Sequence, residues 1–203
     1  MTRMTDPRPT PDWRPLALTL AGLTAVYAVA FRLMPYDQSA FLPWPFGALA
    51  LYAGARLTTR VALPLVVGVF FLSDAVLYAR GHTPPNYLYY VCLGVSLLLG
   101  RGLLAHSQAV WRIVAGGLAS YIFFFLATNM AAWLEPALPE YSPPTFGTLL
   151  LALEKGLEFL RQWRPGHVIG FGDVLPSLAL FGAHAYFARA YFPAERVVPE
   201  AVR

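Results

Sequence analysis

The sequence predicts an all-α integral membrane protein, with six transmembrane helices in a single bundle. Hydrophobic residues make up 57% of the 203-residue chain and charged residues only 13%, whereas a typical soluble domain is about 25% charged. The mean hydropathy is +0.52. Most apolar residues fall in runs close to the roughly 20 residues that a helix needs to cross the hydrocarbon core. The chain length suits one domain.

Six apolar segments are predicted to cross the bilayer. They are residues 16–34, 41–55, 61–79, 87–104, 113–134 and 168–188. The fifth is the clearest, because none of its 22 residues is charged. The second is short and contains two prolines, so it predicts either a tilted span or a partly re-entrant helix.

The remaining residues are assigned to two tails and one long connection. Residues 1–14, with three prolines and mixed charge, predict a disordered cytoplasmic tail, and residues 193–203 a second one. The transmembrane domain is then 15–192. Within its connection 135–166, residues 148–160 are too short and too charged to span, and they predict an amphipathic helix on the membrane surface.

The basic residues predict the orientation. With the N-terminus in the cytoplasm, ten of the fifteen arginines and lysines fall on cytoplasmic elements. The positive-inside rule therefore favours six spans with both termini inside. If the second segment fails to span, every later segment inverts. Ala28-Val29-Ala30 resembles a signal-peptidase site, but the run of residues 16–31 is long for a signal sequence, which favours an uncleaved first helix.

Three polar residues within the apolar segments predict a binding pocket. Asp74, Asn129 and Asp173 are costly to place in a membrane, so each is a candidate for function. In the six-span topology all three lie towards the outer surface, together with Tyr78 and Trp133. Two carboxylates among aromatic rings would suit a small molecule, and a cation in particular.

Each of these residues also has a structural interpretation. Asp74 could pair with Arg80, and Asn129 could join two helices. Asp173 could be the N-cap of a helix that starts at Val174. Trp133 could belong to the aromatic belt at the membrane surface. The sequence leaves these alternatives open.

The sequence gives little indication of a metal site, a cofactor, an enzyme or a nucleic-acid interface. The four histidines lie in separate regions and Cys92 is the only cysteine, so neither a metal site nor a resident cofactor is expected. The chain lacks the motifs of nucleotide-binding, hydrolytic and redox enzymes, and it has no basic stripe for nucleic acid. Asp74 with His167 is the only candidate for the acid–base pair of a lipid-modifying enzyme, and it is a weak one. The expectation is a protein that is not an enzyme.

The first segment contains a row of small residues. Ala17, Ala21 and Ala25 recur every four residues and so lie on one helix face. Small residues at this spacing let two helices approach closely. The row predicts either a docking face for another membrane subunit or ordinary packing within the chain.

Several short motifs give the chain a family resemblance. They are Phe46-Gly47-Ala48-Leu49-Ala50-Leu51 with Gly54, Phe71-Leu72-Ser73-Asp74, Thr128-Asn129 with Trp133, and Gly172-Asp173 followed by Leu180-Phe181-Gly182. Through these motifs, over residues 32–190, the chain resembles a family of small six-helix bacterial membrane proteins without an assigned function. That family is similar to the substrate-binding (S) components of energy-coupling factor transporters.

The resemblance implies a role in solute uptake. S components capture a vitamin or metal ion outside the cell and topple against a transmembrane coupling subunit that two ATPases drive. Their first helix commonly docks through an Ala-x-x-x-Ala face, which Ala17, Ala21 and Ala25 match. The long charged connection 135–166 departs from this pattern. The alternative is a non-transporting accessory subunit of a larger membrane complex, for which Phe123-Phe124-Phe125 would offer a surface.

Overall fold

The computed structural model describes residues 14–82, 87–135, 138–163, 165–166 and 172–197. Within these ranges the protein is all-α, with no strand. Its helices are α1 (Pro15–Leu33), α2 (Tyr36–Ser39), α3 (Phe46–Arg56), α4 (Thr59–Ala79), α5 (Tyr87–Leu99), α6 (Val110–Trp133), α7 (Phe146–Trp163) and α8 (Val174–Ala190). A π-helical turn, Gly100–Leu104, continues α5.

Among the described residues, four helices are long and apolar enough to cross a membrane. They are α1, α4, α6 and the continuous segment Tyr87–Leu104, and they agree with four of the predicted segments to within three residues at either end. The helix α3 has 11 residues, or about 16 Å, and α8 has 17. The membrane class of the protein thus has direct support, whereas the count of six spans remains a prediction.

Contacts at the helix ends show that successive bundle helices alternate in direction. At one end, here the Arg32 end, the last turns of α1 and α4 meet the start of α5 through Arg32, Asp74 and Tyr90. At the other, the Arg56 end, the last residue of α3 contacts Leu104 at the end of the α5 segment. Arg101 donates to Thr59 at the start of α4, which also lies there.

The short helix α3 lies at the centre of the bundle. It contacts α1, α4, α5, α6 and α8, and all eleven of its residues are buried. Glycines permit its close approach to the α5 segment: a Cβ added at Gly54 would lie 2.0 Å from the carbonyl oxygen of Leu97, and one at Gly100 would lie 2.0 Å from that of Leu51. The helix of the second predicted segment is thus enclosed by protein along its whole length.

A buried arginine holds the Arg56 end together. Arg56 is 2% exposed, and its guanidinium donates to the carbonyl oxygens of Leu104 at 2.9 Å and Ser107 at 3.0 Å. Carbonyl groups at a helix C-terminus lack intrahelical partners and attract cations. Arg56, at the end of α3, therefore satisfies carbonyl groups at and beyond the end of the α5 segment.

The C-terminal segment also belongs to the bundle. The carboxylate of Glu195 accepts hydrogen bonds from the backbone N–H groups of Leu16 at 2.8 Å and Ala17 at 3.0 Å. An acid at this position satisfies free N–H groups of α1 and complements its dipole. Glu195 is buried, so the segment that follows α8 packs against the start of α1, and the domain boundary at 192 remains a prediction.

The alanine row of α1 faces the interior. Ala17 and Ala21 are completely buried and Ala25 is 7% exposed, within the same cluster as the side chains of α3 and α4. The chain's own helices fill this face, so it is not open to a second subunit. In this structure the row packs against other helices of the same chain.

The connection between α6 and α8 contains the predicted amphipathic helix. Residues 148–160 lie within α7, which packs against α6. Trp133 at the end of α6 donates from Nε1 to Oγ1 of Thr148 at 3.0 Å. A Cβ added at Gly156 would lie 2.1 Å from Oδ1 of Asn129, so the absence of a side chain at residue 156 lets the two helices touch.

Candidate functional site

A cavity of about 1100 Å³ lies at the Arg32 end. Its walls come from α1, α4, α5, α6 and α7. Small-molecule sites typically have about 300–1,000 Å³, with mostly apolar walls and a few polar groups. Its lining residues are Phe31, Arg32, Leu33, Met34, Pro35, Trp44, Phe70, Asp74, Leu77, Arg80, His82, Tyr89, Tyr121, Phe124, Phe125, Thr128, Asn129, Tyr141, Lys155, Gly156, Phe159 and Leu160.

Aromatic rings form one continuous wall of the cavity. Trp44, Phe46, Phe70, Tyr89 and Phe124 make a closed circuit in which each ring contacts the next, with centroid separations of 5.1 to 6.3 Å. These separations fall in the favourable range for aromatic pairs. All but Phe46 line the cavity. We call these four lining residues the aromatic floor.

Beside the aromatic floor lies an ion pair between Arg32 and Asp74. Oδ1 of Asp74 accepts from the guanidinium of Arg32, and Oδ2 accepts from the hydroxyl of Tyr90 at 2.7 Å. Arg32 also donates to Oγ of Ser73 at 3.3 Å, and its guanidinium carbon lies 3.8 Å from the centroid of the Phe70 ring. Both carboxylate oxygens are thus engaged within the chain, as a buried charge requires.

Asn129 and Thr128 line the cavity from α6. Nδ2 of Asn129 donates to the carbonyl oxygen of Phe125 at 2.7 Å, and the hydroxyl of Thr128 donates to that of Phe124 at 2.8 Å. Both side chains thus form hydrogen bonds with the backbone of their own helix. With Gly156 of α7 against its side chain, Asn129 is at once a lining residue and part of the contact between two helices.

The charged lining residues are mostly basic. Arg32, Arg80 and Lys155 line the cavity, and Asp74 is the one acid among the lining residues that the structure describes. Nζ of Lys155 donates to Oε2 of Glu158 at 2.8 Å on the exposed side of α7. This hydrogen bond raises the pKa of Lys155 and lowers that of Glu158.

Asp173 lies outside this cavity. It immediately precedes α8, as the N-cap interpretation predicts, but its side chain does not cap α8. Its carboxylate instead accepts from the hydroxyl of Ser120 at 2.7 Å and from the backbone N–H of Ala48, in the first turn of α3. A Cβ added at Gly47 would lie 2.0 Å from Oδ2 of Asp173. Asp173 therefore caps α3 from a different helix.

The pocket is thus only partly the one that the sequence predicts. Asp74 and Asn129 line the cavity, whereas Asp173, Tyr78 and Trp133 do not. Tyr78 is 62% exposed, and Trp133 is bound to Thr148. The expected pair of carboxylates in one pocket is absent from the described residues, because the carboxylate of Asp173 binds Ser120 and Ala48 in the core instead.

Sequence reasoning missed two contributors to the site. The sequence suggests Arg80 as the partner of Asp74, whereas the structure pairs Asp74 with Arg32. A buried acid needs a cation, and the last turn of the first segment offered one, but their separation of 42 residues hides the pairing. The wall from α7, including Lys155 and Phe159, was likewise not expected.

Two of the other chemical hypotheses can be compared with the site. His167 lies outside the described residues, and Asp74, its suggested partner, is bound to Arg32 and Tyr90. Among the described side chains, no three from His, Cys, Asp and Glu lie close enough together to hold a metal ion.

Comparison with known sequences gives the chain a family. Residues 12–197 match the profile of a family of unknown function (DUF6580), and because the match covers most of the chain, the protein belongs to this family. No curated protein and no solved structure matched the chain.

Proposed function

We propose that this protein captures a small solute from outside the cell, as the substrate-binding component of an energy-coupling factor type uptake transporter. The observation that carries the proposal is the cavity of about 1100 Å³ at one end of an apolar helix bundle. Its combination of aromatic walls with a few polar side chains is typical of small-molecule sites.

The basic residues support an outward-facing cavity. Seven arginines lie near the Arg56 end, in the residues that begin α1, α4 and α6 or end α3, the α5 segment and α8. They are Arg14, Arg56, Arg60, Arg101, Arg112, Arg189 and Arg196. By the positive-inside rule this end faces the cytoplasm. The proposed topology has six spans with both termini inside, in the bacterial inner membrane.

The buried core favours capture over free conduction. The helix α3 contacts five other helices of the bundle and is buried along its length, so it fills the interior below the cavity. A solute in the cavity would need a conformational step to pass. A coupling subunit and its ATPases would supply that step, since this chain has no nucleotide-binding motif.

Native mass spectrometry of the protein purified from its own host tests the proposal. We expect a co-purifying small molecule that is lost from Phe159→Ala and Asn129→Ala, which alter the walls from α7 and α6. Tyr186→Ala is the matched control, because Tyr186 is 66% exposed on α8. A bare mass, or a stable complex with another membrane protein and no solute, would instead support the accessory-subunit alternative.

A further inference from the structure

The charges that line the cavity indicate the kind of solute it binds. Three basic side chains and one acidic side chain face it. Arg32 and Asp74 neutralise each other, which leaves Arg80 and Lys155 as the remaining formal charges of the lining. Glu158, the partner of Lys155, is not a lining residue. Counted over the described lining residues alone, the formal charge is therefore positive, with Arg80 not ion-paired and Lys155 paired with Glu158 on the exposed side of α7.

Among the described lining residues, Asp74 is the one acid that could serve a cationic ligand as counter-ion, and it is already engaged. Both oxygens of Asp74 already accept hydrogen bonds, from Arg32 and from Tyr90. The place for a cation over Phe70 is also taken, because the guanidinium of Arg32 lies 3.8 Å from the centroid of that ring. An ammonium group would have to displace Arg32 from both contacts.

The basic residues of the lining and the residues of the aromatic floor differ in exposure. Arg80, His82 and Lys155 are exposed, whereas the aromatic floor is buried or half-buried. The rings of Tyr89 and Phe124 are stacked 5.5 Å apart with planes at 17°, and they belong to this buried or half-buried aromatic wall. A ligand with an apolar ring and a charged end would thus have its ring inside and its charge at the exposed rim.

We propose that the cavity binds an aromatic anion, with its ring against the aromatic floor and its anionic group at the rim that carries Arg80 and Lys155. This inference rests on the proposed function and names the ligand class of the same cavity. It replaces the cation that two carboxylates in one pocket would have favoured, because only Asp74 lines the cavity.

Binding of two probes with the same ring and opposite charge tests the proposal. Radiolabelled indole-3-acetate and tryptamine would be titrated separately against the full-length protein in lipid nanodiscs. Indole-3-acetate should bind about tenfold more tightly or better, since the rim charges attract one probe and repel the other. The double variant Arg80→Gln/Lys155→Gln should bring the affinity ratio close to one. Arg189→Gln, an exposed arginine at the Arg56 end, should leave the ratio unchanged.

Other outcomes would overturn the proposal in distinguishable ways. Tighter binding of tryptamine, or a ratio that the double variant leaves unchanged, contradicts the anionic class and leaves solute binding intact. If neither probe binds while native mass spectrometry finds a retained solute, the aromatic-anion class is wrong and the proposed function stands. If neither probe binds and the native mass is bare, both fail.

Discussion

Two aspartates of similar appearance in the sequence have different partners in the fold. Asp74 neutralises Arg32 at the wall of the cavity, whereas Asp173 caps the first turn of α3 and binds Ser120 in the core. Glu195 acts like Asp173, since it caps α1 from beyond the end of α8. Two of these three buried carboxylates thus satisfy the N-termini of helices other than their own.

Breaking the Arg32–Asp74 pair should destabilise the protein. Removing one partner of a buried ion pair costs about 3–5 kcal/mol, because the other charge is left without compensation. We therefore expect Arg32→Gln and Asp74→Asn each to lower the unfolding midpoint in detergent, and the double variant to recover part of the loss. Lys155→Gln removes an exposed ion pair of similar type and should have little effect. Equal midpoints for Asp74→Asn and Lys155→Gln would contradict this role.

At the scale of single helices, close backbone contacts determine which glycines are essential. Gly54 and Gly100 each face a backbone carbonyl oxygen that a Cβ would approach to 2.0 Å. Gly54→Ala and Gly100→Ala should each separate α3 from the α5 segment and cost about 1–3 kcal/mol. Gly94→Ala is the matched control on α5, because no atom lies within 4 Å of the added Cβ. Thermal unfolding in detergent would measure all three, and equal losses would contradict the interlocked contact.

The contact between α6 and α7 can be tested in the same way. Gly156→Leu should push α7 away from Asn129, so that backbone amides of α7 exchange faster in hydrogen–deuterium exchange mass spectrometry. Gly147→Ala changes the exposed first turn of α7, where the nearest atom would be 3.8 Å from the added Cβ, and should leave exchange unchanged. Unaltered protection in Gly156→Leu would show that α7 is held by other contacts.

The helices were largely predictable from sequence because hydropathy is a local property. The four long spans and the amphipathic helix α7 all follow from local composition. The contacts that build the site were not predictable, since Arg32 and Asp74 are 42 residues apart and Ser120 and Asp173 are 53 apart. Local pattern offered Asp173 as a possible N-cap of a helix that starts at Val174, but only the packed structure shows that its carboxylate caps α3.

At the scale of the whole molecule, polar side chains gather at the two ends of the bundle. The Arg32 end holds the cavity and its ion pair. The Arg56 end holds Arg56 on the carbonyl groups after α5 and Glu195 on the N-terminus of α1. The glycine- and alanine-rich helix α3 lies between them, buried throughout. This division fits a binding site at one membrane surface above a close-packed base.

Reporter fusions test whether the cavity opens to the outside. With six spans and both termini inside, alkaline phosphatase should be active when fused after Arg80 or Leu134, which follow α4 and α6 at the Arg32 end. It should be inactive after Leu57 or Ser107, which follow α3 and the α5 segment at the Arg56 end. Green fluorescent protein at the C-terminus should fluoresce in the cytoplasm.

The short helix α3 decides this experiment. If the segment that contains α3 fails to cross, fusions after Arg80 and Leu134 should lose activity and those after Ser107 should gain it, because every later segment inverts. Such a result would put Arg32 and Asp74 at opposite membrane surfaces, so it would contradict the cavity that the two residues line together. The alternation of helix directions around α3 argues against it, since Arg56 at the end of α3 contacts Leu104, at the end opposite to the Arg32–Asp74 pair.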